Sequence, residues 1–207
     1  MSKKIVELVN TWHKYETENP DISIADFCVK YLAEHSTQSL EEWHSVPVNG
    51  QLAGLLGRLV KYSNLYSKKA LNHFPLNNIE DWIYLISLMD LKTPKKSELI
   101  YEMLSEFPSG IDIIKRLIAS DLVEEFPDEN DKRSKRVKIT EKGLQVLAES
   151  MPYMDKVGRM AFDTLTPSEK TMIVNILKRL DSFHNEHFKN VRNIEFEQAF
   201  EVLTSGE

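Results

Sequence analysis

Apolar residues recur along this chain at the three- to four-residue spacing of a single helix face, in several separate blocks. Ile5, Leu8, Val9 and Trp12 share the first face, Pro20-Asp21 breaks it, and residues 24–33 resume it, so two short helices are predicted. Residues 45–50, with Pro47 and Gly50, read as a loop. Leu52, Leu55, Leu56, Leu59 and Tyr66 then follow i, i+3, i+4, i+7 spacing over about six turns. A helix with this much apolar surface is commonly buried against a partner subunit, although packing within one chain satisfies the same pattern.

Asn77 or Asn78 is placed to cap a helix reaching Met89, residues 95–107 read as another, and Pro108-Ser109 opens a third. On that third helix Ile111, Ile114, Leu117 and Ile118 line one side. Ser109, Asp112, Lys115 and Arg116 fall on the other, which predicts an outward polar face. Beyond Ser120 the period changes to alternation, and residues 123–126 and 136–139 are predicted strands around a polar loop. Thr140 caps a helix through Ala148 that can continue past Pro152. Thr166-Pro167-Ser168-Glu169 is a capping box with proline at the first helical position, heading a helix that carries Ile173, Ile176, Leu177 and Leu180. The stretch after Asn190 gives no clear signal. Helix, helix, helix, hairpin, helix is the order of a winged helix-turn-helix, so the expected fold is mainly α with a small β-hairpin wing and long helices suited to dimerisation.

A net charge of -6 runs against the clustered Lys and Arg that phosphate contacts need, but its distribution changes the picture. Residues 1–50 hold 4 basic and 8 acidic groups and residues 143–207 hold 7 and 10, whereas residues 131–142 hold 6 basic against 2 acidic. A local basic prong on an acidic body suits a protein that touches DNA through a small surface. The basic start, Met1 to Lys4, is followed by a stretch broken by Glu7, Asn10 and His13, and no apolar run approaches the roughly 18 residues of a membrane span. A cytoplasmic protein with no membrane partner is expected.

The same sequence argues against chemistry. Cys28 is the only cysteine, which excludes an intrachain disulfide and a four-cysteine zinc site and fits a reducing compartment. The run Asp26-Phe27-Cys28-Val29 offers no cationic neighbour to activate the thiol, so Cys28 reads as a buried packing residue. His184 and His187, with Glu186 between them, can share a helix face, but no further ligands accompany them and no metal site is expected. His13, His35, His44 and His73 read as surface or helix-end residues. No nucleophile–base set, paired-carboxylate motif or Gly-rich phosphate loop is present, so neither an enzyme nor a cofactor is expected.

One block is more specific. Asp121-Leu122-Val123-Glu124-Glu125, followed by Asp131-Lys132-Arg133-Ser134-Lys135-Arg136-Val137-Lys138-Ile139-Thr140-Glu141-Lys142-Gly143, resembles the wing of the MarR family of transcription regulators. That family shows a Gly-Leu-Val run ahead of an Asp-x-Arg-Ser wing and a closing Leu-Thr-x-x-Gly. The resemblance covers roughly residues 50–188. It implies a domain at residues 49–188 with a winged core at about 77–143. Residues 1–48 would form a helical extension associated with the dimer, and residues 189–207 a tail.

What the resemblance implies for the site follows from its motifs. Asp131 would brace Arg133, whose planar, always-charged guanidinium would enter the minor groove. Lys132, Lys135 and Arg136 would meet phosphates, and Ser134 would donate a hydrogen bond to one. On the recognition helix Ser109, Lys115 and Arg116 are the contact candidates. Its start, Phe107-Pro108-Ser109-Gly110, and the acidic Asp112 depart from the family's pattern, and Arg116 could instead pair with Asp112 at i, i+4. Tyr62, Tyr66, Trp82 and Tyr84 either line a cavity for a small aromatic effector between the dimer helices and the winged domain or are plain core aromatics. The expected function is a homodimeric, ligand-responsive repressor on a double-stranded DNA operator. The alternative is a winged-helix protein-interaction or small-molecule-binding module that has lost DNA binding.

Overall fold

The computed structural model describes residues 2–35, 46–131 and 133–205. They fall into two compact units, Met1–Gly54 and Leu55–Glu207. In the first unit α1 (Lys3–Glu18) and α2 (Ile24–His35) are joined by the Pro20-Asp21 break that the sequence marks. Tyr15 and Phe27 are buried and meet edge to face, and Trp12 also meets Phe27 edge to face. The Tyr15 hydroxyl donates to the Glu34 carboxylate, and that bond, helped by burial and the negative charge, pushes the phenol up to about 12.

Cys28 departs from expectation: it is exposed. The inward position on α2 is taken by Phe27, and one residue further along a helix turns the side chain through about 100°. Cys28 therefore sits on the outer apolar face with Ile24, beside Leu8, Val9 and Trp12 of α1.

Helix α3 (Val48–Leu71) begins in the first unit and continues into the second, where Ser67 and Leu71 near its end are buried. The second unit continues with α4 (Ile79–Leu91), α5 (Lys96–Glu102), α6 (Phe107–Ala119), β1 (Val123–Pro127), β2 (Lys135–Ile139), α7 (Glu141–Phe162), α8 (Pro167–Val191) and α9 (Phe196–Thr204). The two strands pair antiparallel from Val123–Ile139 to Pro127–Lys135, forming the hairpin. The fold is mainly α with one small wing.

Local chemistry explains most boundaries. The Asn78 side chain accepts from the Asp81 amide at 3.1 Å and starts α4. Thr140 accepts from the Gly143 amide at 3.0 Å and starts α7, which runs on through Pro152. Thr166 and Glu169 form the capping box of α8, with Pro167 in its first turn. Helix α5 is shorter than the 95–107 reading. It closes at Met103, Leu104 takes a left-handed conformation with φ 51°, and the Ser105 amide reaches back to the Ile100 carbonyl. Helix α9, in a stretch where the sequence shows no signal, follows α8 after a short turn.

The core gathers Tyr84, Leu85 and Leu88 of α4, Leu99 and Ile100 of α5, Ile113, Ile114 and Leu117 of α6, Leu122 and Val123, Val137 of the wing, and Val146 and Leu147 of α7. Two glycines permit its closest approaches. A Cβ on Gly110 would lie 2.6 Å from an Ile100 methylene, where α6 crosses α5. A Cβ on Gly143 would lie 2.3 Å from the Leu122 carbonyl oxygen, where α7 leaves the wing. In contrast, Leu55, Leu56 and Leu59 of α3 and Ile173, Ile176, Leu177 and Leu180 of α8 all remain exposed.

Candidate nucleic-acid interface

Two elements project the candidate contacts, and both are fixed to the core by their own charges. On α6, Ile113, Ile114 and Leu117 face inward, leaving Ser109, Asp112 and Lys115 exposed. Lys115 lies 3.6 Å from Asp112, both well exposed, so the pair is weak and a phosphate can compete for the ammonium.

Arg116 behaves differently from the outward-facing residue the periodicity predicts. It reaches neither solvent fully nor Asp112. Its guanidinium donates to the buried Asp81 carboxylate of α4 at 2.6 Å, and its Nε is buried without a partner among the described residues. Asp81 also accepts from the Asn77 amide at 2.8 Å. Arg116 therefore ties α6 to the start of α4. A 100° helical wheel places it on the boundary between faces, and the carboxylate waiting there draws it inward.

The wing is built around two aspartates. Asp128, buried, accepts from the amides of Asn130 at 3.0 Å and Asp131 at 2.8 Å and from Arg136 Nε at 2.5 Å. Burial works to raise this carboxyl, but the Arg136 guanidinium and the two amides outweigh it and hold it below the usual carboxylate range. Arg136 also donates to the Thr93 carbonyl at 2.6 Å. With Nε and Nη1 so occupied, Arg136 anchors the base of the wing, a structural bond that its place in a basic run does not reveal. Asp128 is a residue the sequence reading missed. Its place after Pro127, opening a polar turn, is the signal that marks it.

At the tip, Asp131 accepts from the Arg133 amide at 3.0 Å and from the Ser134 hydroxyl at 2.7 Å. The Ser134 bond, then the Arg133 amide, holds this carboxyl low as well. The brace thus acts on the backbone of Arg133 and on Ser134, not on the guanidinium. That guanidinium is exposed, with no partner among the described residues. Lys135 is exposed at the start of β2, and Lys132 lies outside the described residues.

The wing is also joined to the helices. The Val137 amide donates to the Pro94 carbonyl at 3.0 Å, Lys95 bridges antiparallel to Arg136, and Lys96 at the start of α5 pairs with Glu125 of β1. On the other side, the Thr140 amide and hydroxyl bond the Leu122 and Asp121 carbonyls. Asp121 has φ 58°, the conformation for which the Gly-Leu-Val pattern supplies glycine. Aspartate tolerates it better than most side chains.

The candidate effector residues do not form one surface. Tyr84 is buried in the core with its hydroxyl donating to Ser105 Oγ at 2.9 Å. Trp82 packs against the core and donates from Nε1 to Ser150 Oγ at 3.0 Å. Tyr62 is exposed on α3, accepting from Arg58, and Tyr66 is half-buried. For Tyr84 the core reading is the correct one. Among the described residues no group of three or more His, Cys, Asp or Glu could hold a metal, and none of their helices is long and apolar enough to cross a membrane.

A helix packed across a shorter one, followed by a hairpin stitched to both, defines a winged helix-turn-helix protein. Residues 78–143 match the winged helix DNA-binding domain family. HTH-type transcriptional repressor NicR of Pseudomonas putida is 28% identical over 105 residues, which is 50% of this chain and 66% of NicR, just short of two thirds. Among solved structures, an E. coli MarR mutant complexed with operator DNA superposes with a TM-score of 0.59 at 19% identity, covering 63% of this chain and 93% of that one. BpsR of Bordetella bronchiseptica, whose DNA binding is regulated by 6-hydroxynicotinic acid, gives 0.59 at 21%, covering 63% and 98%. AbsC, a MarR family transcriptional regulator of Streptomyces coelicolor, gives 0.58 at 22%, covering 70% and 97%. The chain therefore carries a winged helix DNA-binding domain over residues 78–143 and shares the fold of these MarR structures.

Proposed function

We propose that the protein is a homodimeric transcription regulator, a repressor, that binds a double-stranded DNA operator and releases it in response to a small aromatic effector. The observation that carries this reading is the wing tip, where the Asp131 carboxylate accepts from the backbone amide of Arg133 while its guanidinium stays exposed. A planar, permanently charged group presented in this way is suited to a narrow minor groove. Ser109 and Lys115 on α6 are the contacts toward the major groove, with Lys135 toward phosphates; Ser134, expected to donate to a phosphate, instead gives its one hydroxyl proton to Asp131 and shapes the tip. Arg116 and Arg136 position these elements and do not read DNA themselves.

The exposed leucines of α3 and apolar face of α8 support a dimer, since apolar surface on that scale is ordinarily covered. Two winged units related by a two-fold axis would address two half-sites. NicR is a named repressor and BpsR is regulated by a heteroaromatic acid, and these two relatives support the repressor and effector parts of the reading.

The test is a mobility shift with duplex from the gene's own upstream region across a salt series. Phosphate contact predicts log affinity falling linearly with log salt, with a slope of about -0.9 per neutralised phosphate. The net charge of -6 favours a second reading, a winged module that binds protein instead of DNA. Absence of binding even at low salt would put that reading first.

A further inference from the structure

The turn between α5 and α6 is held by a residue nearly ninety positions away. Arg192, just past the end of α8, donates from its guanidinium to the Ser105 carbonyl at 3.3 Å. The same guanidinium lies over two rings, 5.3 Å from the centre of Tyr101 in α5 and 5.4 Å from that of Phe188 in α8. Those rings meet edge to face at 5.2 Å. Ser105 is gripped from below as well, because its hydroxyl accepts from Tyr84. Its neighbour Leu104 is the left-handed residue that makes the turn.

The position of α6 relative to the core is set by this turn. Left-handed, non-glycine backbone persists only where its surroundings hold it, at a cost of roughly 1–3 kcal/mol. Carbonyl capture and two cation–π contacts are such a restraint, and a guanidinium supplies both because it is planar and a fork of donors. We propose that Arg192 is a positioning residue for DNA recognition: it latches the helix-turn-helix to the end of α8 without touching DNA. Because α8 also carries an unpartnered apolar face, the latch makes the setting of α6 depend on where α8 is held. This inference rests on the DNA-binding reading above and adds to it a route by which a distant helix governs the reading head.

Two measurements on Arg192→Ala and Arg192→Lys test it. The first is hydrogen exchange of the wild type and both variants without DNA. Exchange at residues 104–106 should speed up in both variants, while the core of α4 and α7 is unchanged. Lysine keeps the charge but not the planar stack, so a normal Arg192→Lys would show that a long-range field alone is at work and overturn the latch. The second is operator affinity against salt. Affinity should fall about five- to tenfold with an unchanged salt slope, the loss expected from one hydrogen bond and its stacking. A slope reduced by about one would mean a direct phosphate contact and overturn the positioning role. Unchanged affinity, or unchanged exchange in the turn, would overturn it equally. Failure of the wild type to bind any duplex would instead sink the DNA reading, and with it the role in recognition, while the exchange data would still show whether the latch exists.

Discussion

Arg133 and Asp131 are neighbours of opposite charge with opposed naive effects on DNA. Arg133→Ala removes a charge-assisted contact, typically worth on the order of 1 to 3 kcal/mol, so operator affinity should fall about tenfold or more with the melting temperature unchanged. Asp131→Ala removes a negative charge near phosphate, and net charge alone predicts tighter binding. The structure predicts the reverse, because the Ser134 hydroxyl and the Arg133 amide lose their common acceptor and the tip loses its shape. Fluorescence anisotropy of both variants at one salt concentration decides the sign. Arg116→Ala should act through folding: it strands Asp81 in the core with only the Asn77 amide. We expect a cost of about 1–2 kcal/mol, below that of a fully buried pair because Arg116 keeps about a third of its side chain in water. Denaturant unfolding measures it. The wing basic run was legible in the sequence as a run, but which of its arginines is free was not. Arg133 and Arg136 differ only in whether a buried carboxylate stands opposite, and that depends on the register of the hairpin. Cys28 was misplaced for a related reason, since Phe27 beside it is the larger apolar group and takes the inward position.

Among elements, the wing should be acid-sensitive. Asp128 and Asp131 are both held below the usual carboxylate range in the folded state. A depressed folded value contributes stability that is complete above the unfolded value, roughly 3.9. It is lost as pH falls through the lower, folded one. The wing should therefore be fully ordered at neutral pH and loosen only below about pH 4. Amide resonances of Asn130, Asp131 and Arg133 should titrate together there; midpoints above that value would contradict the assignment. Elements were otherwise readable wherever side chains terminate them, as Asn78, Thr140 and Thr166 do. They were not where the backbone alone does. Helix α5 stops because Leu104 turns left-handed, which no leucine advertises. Helix α9, nine residues from Phe196 to Thr204, is too short for an apolar period to stand out.

At the scale of the molecule, the exposed leucines of α3 and the apolar face of α8 call for a partner. Light scattering at micromolar concentration should give a dimer, and Leu59→Glu should shift it toward monomer while far-ultraviolet circular dichroism stays the same. A wild-type monomer would remove the two-half-site arrangement. The stitch between the wing and residues 94–96 bears on how such a dimer could change its target. With Pro94 bonded to Val137 and Lys96 paired to Glu125, the strands of the hairpin are tied to the start of α5, the helix on which α6 packs, so the hairpin and α6 resemble the two arms of a caliper. On the proposed DNA-binding reading, this tie would limit the length of DNA that one subunit spans. In the proposed dimer the gap between two calipers would be the adjustable quantity, through the helices proposed to join the subunits. Selection for a new operator would then exchange the residues at the caliper's points or alter the gap, and lengthening a half-site would require breaking the stitch first.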